Sequence, residues 1–355
     1  MFIESVGDFL KVVKKCNESN REALFRGQGS CTYDITSSIY RYINNNKTSE
    51  DSDNFGYRFS RELFKTFCKN MPIYPEVHEL DSYPLNDIDR LMIAQHYGLS
   101  TRLIDLTRNP LVALYFATQN VKLDDCCSVF MMYNSEKHPM AISSSNDLYY
   151  SIRQEQKTLN AMSHIYERMG TNEKELNLAN EFHKLKYSSD VFIPDSLLPP
   201  IMLHEKLNSY AMSILALTDP QKAKVADRLL NEERVNYIKG ISEVTLYNPN
   251  RFVIEPLPIN ARIRNQQGLL LFSRELEGVE YKASDFNGSN TISSMQDISN
   301  IDITSGVIRI DIHEEHATSI HQELKLYGIT EDFIYPEITT YTKVLHEKVL
   351  KNAKI

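Results

Sequence analysis

Glycine and proline are scarce in this chain, 12 and 13 among 355 residues, which argues against long disordered or low-complexity tracts. No apolar run reaches the length of a membrane-spanning helix. The N-terminal MFIESVGDFLKVVKKCN lacks a basic segment followed by an apolar core, so neither a membrane anchor nor a secretory leader is expected. Positive charge is also in deficit: the formal net charge is −8 and the isoelectric point about 5.7. This excludes a general attraction to a nucleic-acid backbone, and any such contact needs a local basic patch. Five cysteines, an odd number without paired spacing, point to a reducing compartment rather than a disulfide framework, with Cys126 and Cys127 packed as small hydrophobes. The expectation is a soluble cytoplasmic protein without a membrane partner. Phosphate-binding P-loop, GxGxxG and GxSxG signatures and internal repeats are missing as well.

What remains has the composition of an ordinary globular protein, 42% hydrophobic and 24% charged. At this length, one domain with a large insertion or two domains is expected. The richest stretch is Leu91 to Thr118. Leu91, Met92 and Ala94 close an apolar-periodic helix that Gly98 stops, Thr101 to Leu106 alternates like a strand, and Asn109-Pro110 caps a helix with almost no polar face. That second helix must be buried. The connected turns carry Gln95, His96, Tyr97, Thr101, Arg102, Asp105, Thr107 and Arg108, where a rigid scaffold presents binding groups. Arg102 and Asp105 either face a ligand or form a structural ion pair, and His96 either serves a site or caps its helix.

Two further stretches carry chemistry. Phe25-Arg26-Gly27-Gln28 ends a buried strand in an arginine fork suited to phosphate or carboxylate, beside a glycine that admits close approach to the backbone. Arg26 could equally pair with an acidic residue such as Asp105. In Asn260 to Phe272, Arg262 and Arg264 can neutralise phosphate while Gln266 or Gln267 orients a ribose hydroxyl or a water. An exposed polar turn is the competing explanation. Glu62, on a helix around Tyr57 to Cys68, reads as solvated or arginine-paired. His313-Glu-Glu-His316 reads as a strand-to-helix junction with acidic first-turn residues rather than a metal motif. His164, His183 and His204 lie in separate predicted helices without metal-ligand spacing.

Coarse periodicity gives strands and helices over 1–150, a helical insertion over 151–240, and strands with closing helices over 241–355. Phe286 to Asn300 reads as a flexible link, Val307 to Ile312 as a final strand, and Thr339 to Leu350 as a terminal helix.

Together, Phe25-Arg26-Gly27-Gln28, Ala94-Gln95-His96-Tyr97-Gly98-Leu99, Thr101-Arg102-Leu103-Ile104-Asp105 with Asn109-Pro110, and Arg262-Ile263 with Gln266 and Gly268 resemble the FRG domain family. The resemblance runs from Phe9 to Pro336 around the helical insertion. A weaker similarity, in the order of Arg26, the Thr101 to Thr107 strand and Gln266, is to ADP-ribosyltransferases, which cleave the nicotinamide–ribose bond of NAD. These resemblances imply an α+β fold with a split or mixed sheet and a large helical insertion. They imply Arg26, His96 and Gln266 as catalytic residues, and Gly27, Gln28, Gln95, Tyr97, Thr101, Arg102, Asp105, Thr107 and Arg262 as substrate contacts. No metal and no permanently bound cofactor is expected. NAD is the expected substrate, a small nucleotide the ligand, and a protein or nucleic acid the acceptor. A second copy of the chain is an expected partner through the insertion, and a toxic or antiviral role is implied. The alternatives are a non-enzymatic nucleotide- or partner-binding sensor, and a nuclease using His96, Asp105 and Glu62.

Overall fold

A computed structural model describes residues 2–17, 21–48, 55–74, 84–121, 126–135, 138, 140–150, 251–257, 261–273, 276 and 278–353. The expected helical insertion, 151–240, its three histidines and the expected strand at 244–247 lie outside the described residues.

Local signals become elements in a regular way. Helix α1 (Val6–Cys16) begins where the Ser5 hydroxyl accepts the Asp8 backbone N–H at 3.1 Å, and it buries Val6, Phe9, Val12 and Cys16 along one stripe. Strand β1 (Ala23–Gln28) follows, then the short β2 (Ile35–Thr36), α2 (Ser38–Asn46) and α3 (Phe55–Asn70). Helix α4 (Asp87–His96) starts in a reciprocal capping box between Asn86 and Asp89. It leads to β3 (Leu103–Thr107) and to α5 (Pro110–Thr118), whose Asn109 cap accepts the Leu111 N–H at 3.0 Å. As its sequence requires, α5 is buried, with Val112, Ala113, Leu114 and Ala117 fully covered.

The remaining elements are β4 (Cys127–Tyr133), β5 (Met140–Ser143), β6 (Arg251–Ile254), α6 (Ala261–Gln266), β7 (Gly268–Phe272), β8 (Val279–Tyr281), β9 (Thr291–Ile292), β10 (Val307–Ile312), α7 (Glu314–Leu324), α8 (Glu331–Ile334) and α9 (Ile338–Ala353).

The fold is α+β around a mixed eight-stranded sheet in the order β5-β6-β7-β3-β1-β4-β10-β9, with β2 and β8 forming a separate ribbon. The outermost pairs, β5/β6 and β9/β10, are parallel, and the inner pairs are antiparallel. Every residue of β4 is buried, because one face packs on α1, α5 and α7 while the other, through Phe130 and Met132, packs on Tyr281 and Phe286. The sheet is split at its centre. Strand β1 matches β4 over six residue pairs but meets β3 only at Phe25 and Thr107, so the two four-stranded halves diverge from that point.

Two expectations are corrected. The register of β1 against β4 brings the segments beyond their ends together, and Cys31 is disulfide-bonded to Cys126 with Cα atoms 5.4 Å apart. Cys126 is therefore no packed thiol, and the reading of the cysteines as a reduced set does not hold for this pair, whereas Cys127 is buried and outside any disulfide. Phe286 to Asn300 is no flexible link: it buries Phe286 and Ile292 and supplies edge strand β9. Its Asn and Asp side chains close turns, Asp297 accepting the Ser293 and Ser294 N–H groups and Asn290 that of Asn287.

No helix among the described residues is long and apolar enough to cross a membrane.

Candidate functional site

The split between β1 and β3 creates the site. Where two antiparallel strands part, their facing backbone groups lose their partners and must find others. Arg26, one residue beyond the last pair, fills the wedge: its Nη1 donates to the Asp105 carbonyl at 2.6 Å. Its Nε is buried with no hydrogen-bond partner. Burial pushes this guanidinium below its ordinary pKa, Asp105 opposes that shift and Arg41 adds to it.

A cavity of about 400 Å³ opens at this fork. Arg26, Gly27 and Gln28 from β1, Gln95 and His96 from α4, Asp105 and Thr107 from β3, and Arg262 and Gln266 from α6 all line it. The three stretches singled out in the sequence thus converge on one space.

Helix α4 ends in a Schellman arrangement. Gly98 (φ +88°) donates to the Gln95 carbonyl at 2.9 Å, and Leu99 donates to that of Ala94 at 2.9 Å. This stop aims Gln95 and His96 at the fork. Gln95 accepts the Thr101 hydroxyl through Oε1 and donates through Nε2 to Asp105 Oδ1 at 2.7 Å, tying α4 to β3. His96 is partly buried. Burial and the Arg262 charge hold its imidazole below the ordinary pKa, with Glu337 opposing, so the ring is neutral near pH 7.

On the opposite wall, Arg262 and Gln266 stand one turn apart on α6, hence on one helical face. Gln266 Nε2 donates to the Ile334 carbonyl at 3.0 Å, and Asn265 Nδ2 to that of Phe333 at 2.9 Å, clamping α6 to α8. The Gln266 backbone carbonyl accepts the Thr107 hydroxyl at 2.6 Å, and the Arg262 guanidinium lies 5.0 Å from the Tyr335 ring centroid. Gln266 ends a short helix rather than riding on the late strand, because Gln267 turns the chain with φ +46°.

Gly27 lines the cavity and also leaves room for a helix: an added Cβ would lie 2.0 Å from the Ala113 carbonyl oxygen and 2.6 Å from the Ala117 nitrogen. Three expected contacts lie off the cavity lining. Tyr97 is half exposed outside the cavity, its ring edge-on to His96 at 5.0 Å. Thr101 is buried and positions Gln95. Arg102 is fully buried with its guanidinium 5.4 Å from the Phe272 centroid. Arg108, also singled out, is taken up by Glu22 and Glu255 at 2.8 and 2.5 Å.

Asp89 was not foreseen. It lines the cavity while buried, one carboxylate oxygen closing the α4 cap and the other without a hydrogen-bond partner. The capping pattern Asn86-x-x-Asp89 reveals the first function and hides the second. Glu62 is on α3, exposed beside Arg61 and outside the cavity, so His96, Asp105 and Glu62 are not assembled as a nuclease centre. His313 caps α7, as its junction predicts. Among the described residues no group of three or more His, Cys, Asp or Glu side chains could hold a metal ion.

Residues 21–126 match the family model of the FRG domain. The match holds Arg26, Gln95, His96 and Asp105, while Arg262 and Gln266 fall beyond it. No curated protein and no solved structure matches the chain.

Proposed function

We propose that this chain, which carries an FRG domain over residues 21–126, binds NAD in the fork cavity and cleaves its nicotinamide–ribose bond, with water or a macromolecule as acceptor. The observation that carries this reading is the meeting of Arg26, His96, Arg262 and Gln266 around one enclosed space of nucleotide-binding size.

In this reaction the C1′–N bond breaks heterolytically. The electron pair leaves with neutral nicotinamide, positive charge develops on the ribosyl carbon, and an acceptor oxygen bonds that carbon while its proton departs. Little covalent chemistry is asked of the protein, so holding and orienting the ligand matter most. Arg26 binds pyrophosphate or ribose from the wedge. Neutral His96 hydrogen-bonds a ribose hydroxyl or the nicotinamide amide. The Gln266 amide nitrogen is committed to Ile334, which leaves the carboxamide oxygen to orient the acceptor. Phe116 and Leu257 on the lining help to exclude stray water. In a cytoplasm this activity depletes NAD, a toxic or defensive outcome.

A second reading, a nucleotide sensor without turnover, is favoured by one observation. Each carboxylate on the lining has one oxygen tied down, Asp89 to its helix cap and Asp105 to Gln95, and the α6 wall offers the carboxamide of Gln266 rather than a carboxylate. Incubation with NAD and assay of free nicotinamide separates the two. The enzyme releases nicotinamide, and Arg26→Ala and Gln266→Ala abolish release in folded protein. Unimpaired release by both variants rejects the assignments, and saturable NAD binding without release selects the sensor.

A further inference from the structure

A second cavity, of about 190 Å³, adjoins the first across a wall made of Arg26, Gln95 and Asp105. On its far side it is lined by Arg41, Thr36, Ser38 and Ser100. We infer that this smaller cavity is a subsite for a phosphoryl-type oxyanion, held between Arg26 and Arg41, and that Arg41 positions the phosphorylated end of the ligand.

Positive charge at this cavity is unmatched. Arg26 donates to a neutral acceptor, the Asp105 carbonyl, and Arg41 also donates to neutral acceptors, the Thr36 carbonyl at 2.7 Å and the Thr36 hydroxyl at 3.2 Å. The one carboxylate between them, Asp105, accepts a hydrogen bond from the Gln95 amide. Two guanidinium groups therefore share a single carboxylate, and the Arg26 Nε is buried without a partner. Burial lowers the pKa of both arginines, and in Arg26 the Arg41 charge adds to that lowering, the pattern of a desolvated positive pair awaiting an anion. Each guanidinium has five N–H donors, so the groups not used by Thr36 and Asp105 suffice for two or more oxygens of one tetrahedral anion. The Ser38 hydroxyl is already used twice by Thr101, so it contributes shape rather than a donor.

The subsite itself needs only an oxyanion. Its role in placing the phosphates of a dinucleotide, with the base or nicotinamide end in the larger cavity, rests on the nucleotide reading above. The test titrates inorganic pyrophosphate, then NAD, into the full chain by calorimetry, using wild type, Arg41→Gln, Arg41→Lys and Arg108→Gln. Wild type is expected to bind pyrophosphate saturably. Arg41→Gln weakens it at least tenfold, Arg41→Lys less because it keeps the charge, and Arg108→Gln, which lines neither cavity, less than twofold. Absence of saturable pyrophosphate binding, or equal affinity in wild type and folded Arg41→Gln, overturns the subsite. Pyrophosphate binding that depends on Arg41 while NAD neither binds nor reacts upholds the subsite and rejects the NAD reading.

Discussion

Arg26 and His96 set the character of the site through what surrounds them rather than through their own identity. An arginine one residue beyond the last β1/β3 pair has no ladder to join on that side, so its guanidinium substitutes for the missing β3 partner and keeps donors in reserve. His96 is held neutral by burial and by Arg262. Its pKa in the folded chain is expected below the ordinary 6.5, and Arg262→Gln raises it, which a proton NMR titration of the ring reads directly. The sign for stability follows. Because the unfolded histidine binds a proton more readily, the contribution of neutral His96 is complete above the unfolded pKa and declines as pH falls through it toward the folded value. At this scale the sequence was legible in residue type and partly misleading in role. Arg26, His96, Arg262 and Gln266 were identifiable as polar groups in apolar company, whereas Tyr97, Thr101 and Arg102 carry equal polarity and face elsewhere. Facing depends on where β3 begins, and a one-residue uncertainty in a strand of period two reverses it.

Among the elements, β1 and α5 pack backbone against backbone, and Gly27 permits it. Gly27→Ala places a methyl group on the backbone of Ala113 and Ala117, where no flexible side chain can yield. We expect a loss of about 1–3 kcal/mol, seen as a lower denaturation midpoint, together with weaker ligand binding because Arg26 moves with the strand. Undiminished stability in this variant would contradict the packing. Helix ends were readable where Asn109 and Gly98 carry their function in their chemistry. Phe286 to Asn300 was misread because Ser, Asn and Asp serve compact turns and disordered links alike. What decides is whether Phe286 and Ile292 find a core, and that depends on β10 and β4, far away in sequence or added later. The disulfide was unreadable for a similar reason, since Cys31 and Cys126 are 95 residues apart and meet only through the β1/β4 register. Closing a loop of that length contributes about 4.7 kcal/mol in the chain-entropy account.

Viewed as a whole, the described molecule is one eight-stranded sheet whose two halves meet at the single Phe25/Thr107 pair, and the cleft beside that pair is where the chemistry of three distant segments is gathered. The α+β fold class was implied by the family resemblance, alongside strand and helix signals at both ends of the chain. The split followed from nothing local, because it is a failure of two strands to pair, and a sequence records pairing preferences far better than their interruption. The FRG match, ending at residue 126, covers one wall of the cleft, and α6 completes the other. The account therefore depends on both walls gripping one ligand. The most direct measurement is a crystal structure of the full chain soaked with NAD or ADP-ribose: the account predicts ligand in the fork, with phosphate oxygens on Arg26 and the ribose within hydrogen-bonding reach of His96 or Gln266. A ligand bound elsewhere, or touching β1 without touching α6, would contradict it.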